Sequence, residues 1–276
     1  MTDVANSEAN LGAAVRPAGG RPASIFAARA AFLAVILALW QGAVDAGLAS
    51  AAFVSTPAGV ARSLWHLFRD GTIFPDLGTT VLEIALAFTL SVVFGIASAV
   101  VLDRNEWLSR ILSPFLTAFN SMPRIALGPL FVLWFGIGIA SKVVLAFSLG
   151  YFIMMLSTLG GLKNVDRDLL LMSRLFGASE ARLFRHVRFP WALPGIFAGL
   201  KLTLIYCSAG AVIGEMIAAR SGLGVLLQSF SGSFDVAGVL ALILIVALLV
   251  MILTSLLDLV ERRLLEWSKG STDVPG

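Results

Sequence analysis

Residues 169–194 read LLLMSRLFGASEARLFRHVRFPWALP. This stretch is charged and has helical periodicity, and the segments on both sides of it are strongly apolar. It carries Arg174, Arg182, Arg185, His186 and Arg188 against one acid, Glu180. Leu169 to Phe176 form one helical pattern. Gly177 follows, suited to a left-handed turn that residues with a Cβ resist. Ser179 can cap a second helix, and Glu180 stands in its first turn, where a negative charge meets the positive end of the helix dipole. Leu183, Phe184 and Val187 then make an apolar stripe flanked by Arg182, Arg185 and Arg188, and Pro190 and Pro194 are read as closing the loop. On these residues alone two readings stand level. One is a basic amphipathic helix resting on anionic lipid. The other is a helix docked in the groove of a soluble partner.

The rest of the chain decides what this loop interrupts. Mean hydropathy is +0.91 and only 13% of the 276 residues are charged, against about 25% in a soluble domain. A membrane span needs about 20 apolar residues. Runs at 30–44, 79–102, 113–136, 141–159, 195–217 and 236–257 meet or approach that length, which predicts an all-α integral membrane protein of about six transmembrane helices. The first run, with Ala49-Ser50-Ala51 after it, imitates a cleavable signal peptide. Its leading segment is long for that role, and an uncleaved anchor is the reading taken. Residues 1–24 are too poor in apolar side chains to fold alone and read as a tail. Between the first two runs, Pro57 opens GVARSLWHLFRDG, whose Val60, Leu64, Leu67 and Phe68 lie at helical spacing. That predicts an amphipathic helix with Trp65 and His66 as interfacial anchors.

Lysine and arginine set the orientation. Fourteen fall on one side of the spans: Arg16, Arg21 and Arg29, then Arg104 and Arg110, then six between Lys163 and Arg188, then Arg262, Arg263 and Lys269. Four fall on the other: Arg62, Arg69, Lys142 and Arg220. The excess marks the cytoplasmic side, so both termini and the 169–194 loop are expected there, in a multi-pass cytoplasmic (inner) membrane protein.

Several chemistries are excluded. There is no GxxxxGK[ST] phosphate loop, so the chain cannot hydrolyse ATP by that route alone. Two histidines and the single Cys207 offer neither a catalytic triad nor a metal-ligand spacing. The net charge of +3 is small, and no nucleic-acid partner is expected. What remains are ionisable residues inside spans, which are costly there and are functional candidates by default. Lys201 and Asp258 lie near the cytoplasmic ends of their runs and can snorkel. Glu83 is one turn into the second run. Arg124 follows Pro123 in the third run, which also carries Pro114 and Pro129, and it can either face a pathway or pair with an acid. Glu215, near the outer end of the fifth run, is similar, and a Glu215–Arg124 contact is one arrangement the sequence permits.

The loop resembles the cytoplasmic loop of binding-protein-dependent ABC importer permeases, a pattern of EAA, three residues, Gly, nine residues, then I-x-L-P. Here Gly177 is followed by nine residues and then Val187-Arg188-Phe189-Pro190. ALPGIFAGLKL (Ala192 to Leu202), PLFVLWFGIGIASK (Pro129 to Lys142), SGLG at Ser221 and ERRLLEW at Glu261 are similar to the nitrate, sulfonate and taurine branch of these permeases. The EAA positions themselves are Leu171, Met172 and Ser173, so the family's glutamate is missing. Hydropathy gives a first anchor helix and outer loop over 25–54, ahead of the stretch that the resemblance covers. The resemblance implies a permease core over 55–267, with a coupling loop at 162–193 and a short tail at 268–276. It further implies a permease subunit, not an enzyme, that pairs with a second copy in the lipid bilayer and receives a small solute from an extracytoplasmic binding protein. The chain would bind no cofactor itself, ATP and Mg being used by a separate ATPase docked on Gly177, Ala178, Ser179, Glu180, Leu183, Phe184, Val187 and Pro190. Pro123, Arg124 and Glu215 are the expected pathway residues. On this reading Phe184→Asp uncouples the ATPase without unfolding the membrane part. A secondary transporter or a membrane-integral enzyme is the competing class.

Overall fold

The computed structural model describes residues 22–264 and divides into two compact units, before and after Gly59. The tails expected at 1–24 and 268–276 lie outside the described residues, apart from Pro22–Ser24, which already belong to the first helix. In the first unit, α1 (Pro22–Asp45) has 24 residues, about 36 Å at 1.5 Å per residue. That is enough for a hydrocarbon layer of about 30 Å. Gln41 donates to Asp45 one turn on, at 3.0 Å, and the chain turns through Gly47 at φ +72°. A single turn, α2 (Ala51–Val54), follows. Thr56 Oγ1 accepts the Gly59 N–H at 3.0 Å, capping the start of α3 (Pro57–Arg69). As the spacing predicted, α3 is amphipathic, with Val60 and Leu67 buried and Trp65 exposed.

The second unit takes in α3 from Val60 onward and runs through α4 (Ile73–Arg104), α5 (Glu106–Ser121), a 3₁₀ turn at Arg124–Leu127, α6 (Gly128–Phe135), α7 (Ile139–Lys163), α8 (Arg167–Leu175), α9 (Glu180–Ala218), α10 (Leu223–Gly232) and α11 (Val236–Leu264). Five helices among the described residues are long and apolar enough to cross a membrane. The number is six if the bent pair α5 and Arg124–Phe135 makes one span. This is the all-helical membrane architecture that hydropathy predicted.

The core lies where α4, α7 and α9 meet. Ile84 and Ala87, Val143 and Ala146, and Leu204, Cys207 and Ala211 bury one another there. Lipid tails are as apolar as leucine, so close packing, not exclusion from water, must hold such helices together, and small residues permit it. Gly150 of α7 approaches Cys207 and Ser91 so closely that a Cβ would sit 2.5 Å from the Cys207 sulfur. Gly210 of α9 faces the Ala146 backbone at an equivalent 2.7 Å.

Proline acts in two different ways. The third run is broken, not continuous: α5 and the Arg124–Phe135 segment meet at 80°. Pro123 is the cause. It forces Met122 out of the helical region to φ −69°, ψ 139° and supplies no N–H of its own. Pro129 sits in the first turn of α6, where a missing donor costs nothing. The expectation that Pro190 and Pro194 close the cytoplasmic loop is not met. Both lie within the 39-residue rod α9, which passes from the loop straight into the span. The rod accommodates Pro190 by widening to a π turn over Phe184–Arg188, with Phe189 N–H donating to Phe184 O. The wider turn eases the clash between a proline ring and the carbonyl four residues before it.

Gly210→Leu should lower the midpoint of thermal unfolding in detergent, the overpacking costing about 1–3 kcal/mol. Gly160→Ala has no neighbouring atom within 4 Å and should stay within about 0.5 kcal/mol of the parent in the same assay.

Candidate functional site

Three groups of polar residues organise the second unit. The first is the cytoplasmic loop. Asp166 caps α8 by accepting the Asp168 N–H at 2.9 Å. Gly177, at φ +76°, then reverses the chain, and its N–H reaches Arg174 O at 2.9 Å. Ser179 caps α9 by accepting the Arg182 N–H at 3.4 Å, with Glu180 in the first turn. Across the turn Arg174 meets Glu180 at 3.1 Å. Both side chains are largely in solvent, so the pair is worth at most about 1 kcal/mol. The stripe expected to meet a partner turns inward. Leu183 is 1% exposed, and Phe184 packs on Met154, Leu162, Ala192 and Ile196, with the Arg104 guanidinium 4.7 Å from its ring centre. Leu183 is therefore a core residue of this chain and Phe184, half-buried, packs against the same core, so Phe184→Asp would disturb the fold itself. Val187 is half-buried, as is Pro190, and Ala178 lies beside the Gly177 turn. Arg188, read as a flanking charge, pairs with Asp103 at the end of α4 at 2.7 Å and anchors the loop.

The apolar face that does project is on α8. Leu175 and Phe176 are 87% and 85% exposed, and Leu171 and Met172 are more than half exposed. The signal was present in LLLMSRLF as two apolar pairs at i, i+4, Leu171/Leu175 and Met172/Phe176. Which face of so short a helix turns outward is not written in its periodicity, because Leu169 and Leu170 are apolar too.

The second group lies at the opposite end of the bundle. Lys142, counted as a loop lysine, is buried against Glu83 at 2.7 Å, both side chains under 5% exposed. One turn before Glu83, Thr80 donates its hydroxyl to Glu215 Oε1 at 2.7 Å and accepts the Leu223 N–H at 2.9 Å. Glu215 Oε2 accepts the Gly224 N–H at 2.7 Å, and Asp76 accepts the Gly222 N–H at 2.7 Å. SGLG is thus folded over the Glu215 carboxylate. A Cβ at Gly222, which has φ +123°, would run into that carboxyl group, and one at Gly224 into the Val212 carbonyl and the Glu215 side chain. The sequence showed SGLG as a motif shared with the permeases it resembles and not what it folds onto, since Asp76 and Thr80 lie 146 and 143 residues away in the chain.

The third group surrounds Arg124. Its Nη1 donates to Ser148 O at 2.8 Å, and its Nη2 to Asn120 O at 3.1 Å and Asn120 Oδ1 at 2.5 Å. Its guanidinium stacks 4.5 Å from the centre of the Phe152 ring. Pro123 precedes it at the break and lines the same cavity, of about 300 Å³. Arg124 and Glu215 are not brought together, because Glu215 is fully engaged by Thr80 and Gly224. Lys201 does not simply snorkel either; it holds both Asp258 and Glu261 at 2.5 Å.

Residues 91–266 match the family described as the binding-protein-dependent transport system inner membrane component. The chain belongs to that family. It is the transmembrane permease subunit of an ABC-type importer, and permeases of this kind work with an ATPase and a binding protein. The chain is 32% identical to the riboflavin transport system permease of Chloroflexus aurantiacus over 85% of this chain and 88% of that one. It is 32% identical to the taurine transport system permease of Escherichia coli over 85% and 87%. It is 30% identical to a putative aliphatic sulfonates transport permease of Bacillus subtilis over 85% of each. These relatives put the permease in the sulfonate and taurine branch that its motifs resemble. Its fold is also that of the MetNI methionine ABC transporter in inward-facing form, with a TM-score of 0.62 at 22% identity, covering 72% of this permease and 96% of that chain. The secondary-transporter and membrane-enzyme readings are left without support.

In this permease, Lys142→Met should strand the Glu83 carboxylate and cost about 3–5 kcal/mol. The double variant Glu83→Leu/Lys142→Met should recover most of that loss, since a buried pair gains little over apolar side chains of similar volume. Thermal unfolding of the three proteins in detergent checks the comparison.

Proposed function

We propose that this permease pairs with a second copy in the cytoplasmic membrane, with both termini and the 162–193 loop on the cytoplasmic side. Each loop docks on an ATPase subunit that binds and hydrolyses ATP with Mg, while a binding protein delivers solute to the outer face. The chain itself binds no cofactor. The observation that carries this reading is the projecting face of α8. Leu175 and Phe176 stand almost fully exposed at the tip of the loop, next to the half-exposed Leu171 and Met172, while Leu183 of the same loop is buried. Burying each in a partner's groove is worth about 1.5–3 kcal/mol. The alternative of a loop lying on lipid fits less well. The rod α9 runs on from the loop into the span, so the α8 tip is held out ahead of it, and Arg174 is turned back to Glu180.

Movement of the ATPases would then be passed through α9. Gly177 and the Ser179 cap fix the angle between α8 and the rod, and Leu183, Phe184, Val187 and Pro190 hold the rod to the core. Docking thus rests on α8, with Gly177, Ala178, Ser179 and Glu180 as the elbow. Nucleotide need only favour one of two arrangements of the bundle for transport to follow. The missing glutamate at Leu171 is compatible with this, because an apolar residue there extends the exposed face. Glu215 acts at the other end, holding SGLG across the top of α4 and α9, and the break at Pro123 opens the pathway beside Arg124. The solute is a small one of the nitrate, sulfonate or taurine kind or a related small organic molecule; the names of the relatives support the taurine and sulfonate members of that set.

Phe176→Asp, and more strongly Leu175→Asp/Phe176→Asp, should abolish co-purification with the ATPase while the permease keeps its thermal midpoint. Phe184→Asp should instead lower the midpoint. ATPase retained at parental yield by the double variant would overturn the docking face.

A further inference from the structure

Basic side chains that pack among these helices are matched to acids: Lys142 to Glu83, Arg188 to Asp103, Lys201 to Asp258 and Glu261. Arg124 is different. Among the described residues it has no carboxylate within salt-bridge distance, and its partners are carbonyl oxygens and an aromatic face. Ser148 and Leu149, whose carbonyls it contacts, are nine and ten residues into α7. At 1.5 Å per residue that is about 14 Å from the helix start, close to half of a hydrocarbon layer of about 30 Å. A cation at that depth without a counter-charge costs several kcal/mol. Asn120 and Ser148 offer dipoles, which steady the guanidinium and leave its charge uncancelled.

The cavity beside it has the composition of a small-molecule site. Arg124, Asn120 and Tyr206 are the residues with polar side chains that line it, and Met122, Ile125 and Ile153 are among the apolar ones. A volume of about 300 Å³ is at the small end for ligand pockets. The guanidinium fork suits a planar or tetrahedral oxyanion held by two parallel N–H bonds.

We propose that Arg124, with Asn120 and Tyr206, is an anion subsite of the translocation pathway and takes the sulfonate, or an equivalent small oxyanion, of the solute as it crosses. The proposal rests on the permease reading and narrows its substrate to anions. Phospholipid headgroups are a poor alternative, because they lie at the membrane surface and the site is at mid-depth. The carbonyl contacts have a part in this. They hold the guanidinium in place when the site is empty, so the anion is bound only moderately and can leave, as a transport site requires.

The permease–ATPase complex in phosphatidylcholine nanodiscs tests this, with methanesulfonate as the probe and saturation-transfer NMR of its methyl group as the readout. Dimethyl sulfone, of similar shape and no charge, is the control. Methanesulfonate should bind and dimethyl sulfone should not. Arg124→Gln should weaken binding about 10- to 100-fold, the range for a hydrogen bond to a charged group. Arg124→Lys, which keeps the charge and loses the fork, should fall between, and its unchanged thermal midpoint would show that folding is not the cause. Equal binding of the two probes overturns the proposal, as does methanesulfonate binding unaffected by Arg124→Gln. Dissociation of paired permeases by Arg124→Gln, with methanesulfonate binding intact, would assign the counter-charge to the second copy and also overturn it. These failures leave the permease reading standing. Failure of the unmodified chain to co-purify with an ATPase would remove both.

Discussion

A charge among apolar helices must be neutralised where it stands, and this permease is arranged around that constraint. Lys142 and Glu83 tie α7 to α4 with both side chains buried. Arg188 and Asp103 tie the base of the loop to the end of α4. Lys201 ties α9 to α11 through two carboxylates. Such pairs gain little stability over apolar replacements, because desolvation offsets most of the attraction. Their effect is on register. Sliding or rotating one helix against another would strand a charge, so apolar surfaces that fit in many ways are held to one arrangement.

The same logic applies to the backbone. In an apolar layer an irregular segment is tolerated only where its polar groups find partners or line a cavity. Two irregular segments among the described residues show how this is met. SGLG places its N–H groups on Asp76, Thr80 and Glu215. The break at Pro123 lies beside a cavity, with the Arg124 guanidinium reaching across to the carbonyls of α7. One irregularity is closed on protein acceptors, and the other borders a cavity. That difference separates a structural clamp from a segment that lines a cavity, although both were marked in the sequence by glycine or proline beside a charge.

Between these ends, α9 carries the mechanical connection. A span that stopped at its prolines would leave the loop hinged. The π turn at Phe184–Arg188 instead carries the helix through Pro190 and Pro194, with Leu183 and Phe184 seated in the core. The second helix of the loop and the span are therefore one continuous rod, and α8 stands at its tip with an apolar face outward.

The sequence by itself determined the class of the protein, the approximate number and position of its spans, the amphipathic helix at Pro57, and the caps and turn of the loop. These follow from hydropathy, periodicity and single-residue preferences, which act within a few residues of chain. Only the tertiary structure decided which face of α8 is exposed, that Leu183 and Phe184 belong to the core, and which charge meets which. Thr80 and Glu215 are 135 residues apart and Asp103 and Arg188 are 85 apart, so their pairing depends on how whole helices pack. A hydropathy profile records that a charged residue lies in a span. It holds no information on the residue opposite, and that residue is what distinguishes the matched Lys142 from the unmatched Arg124.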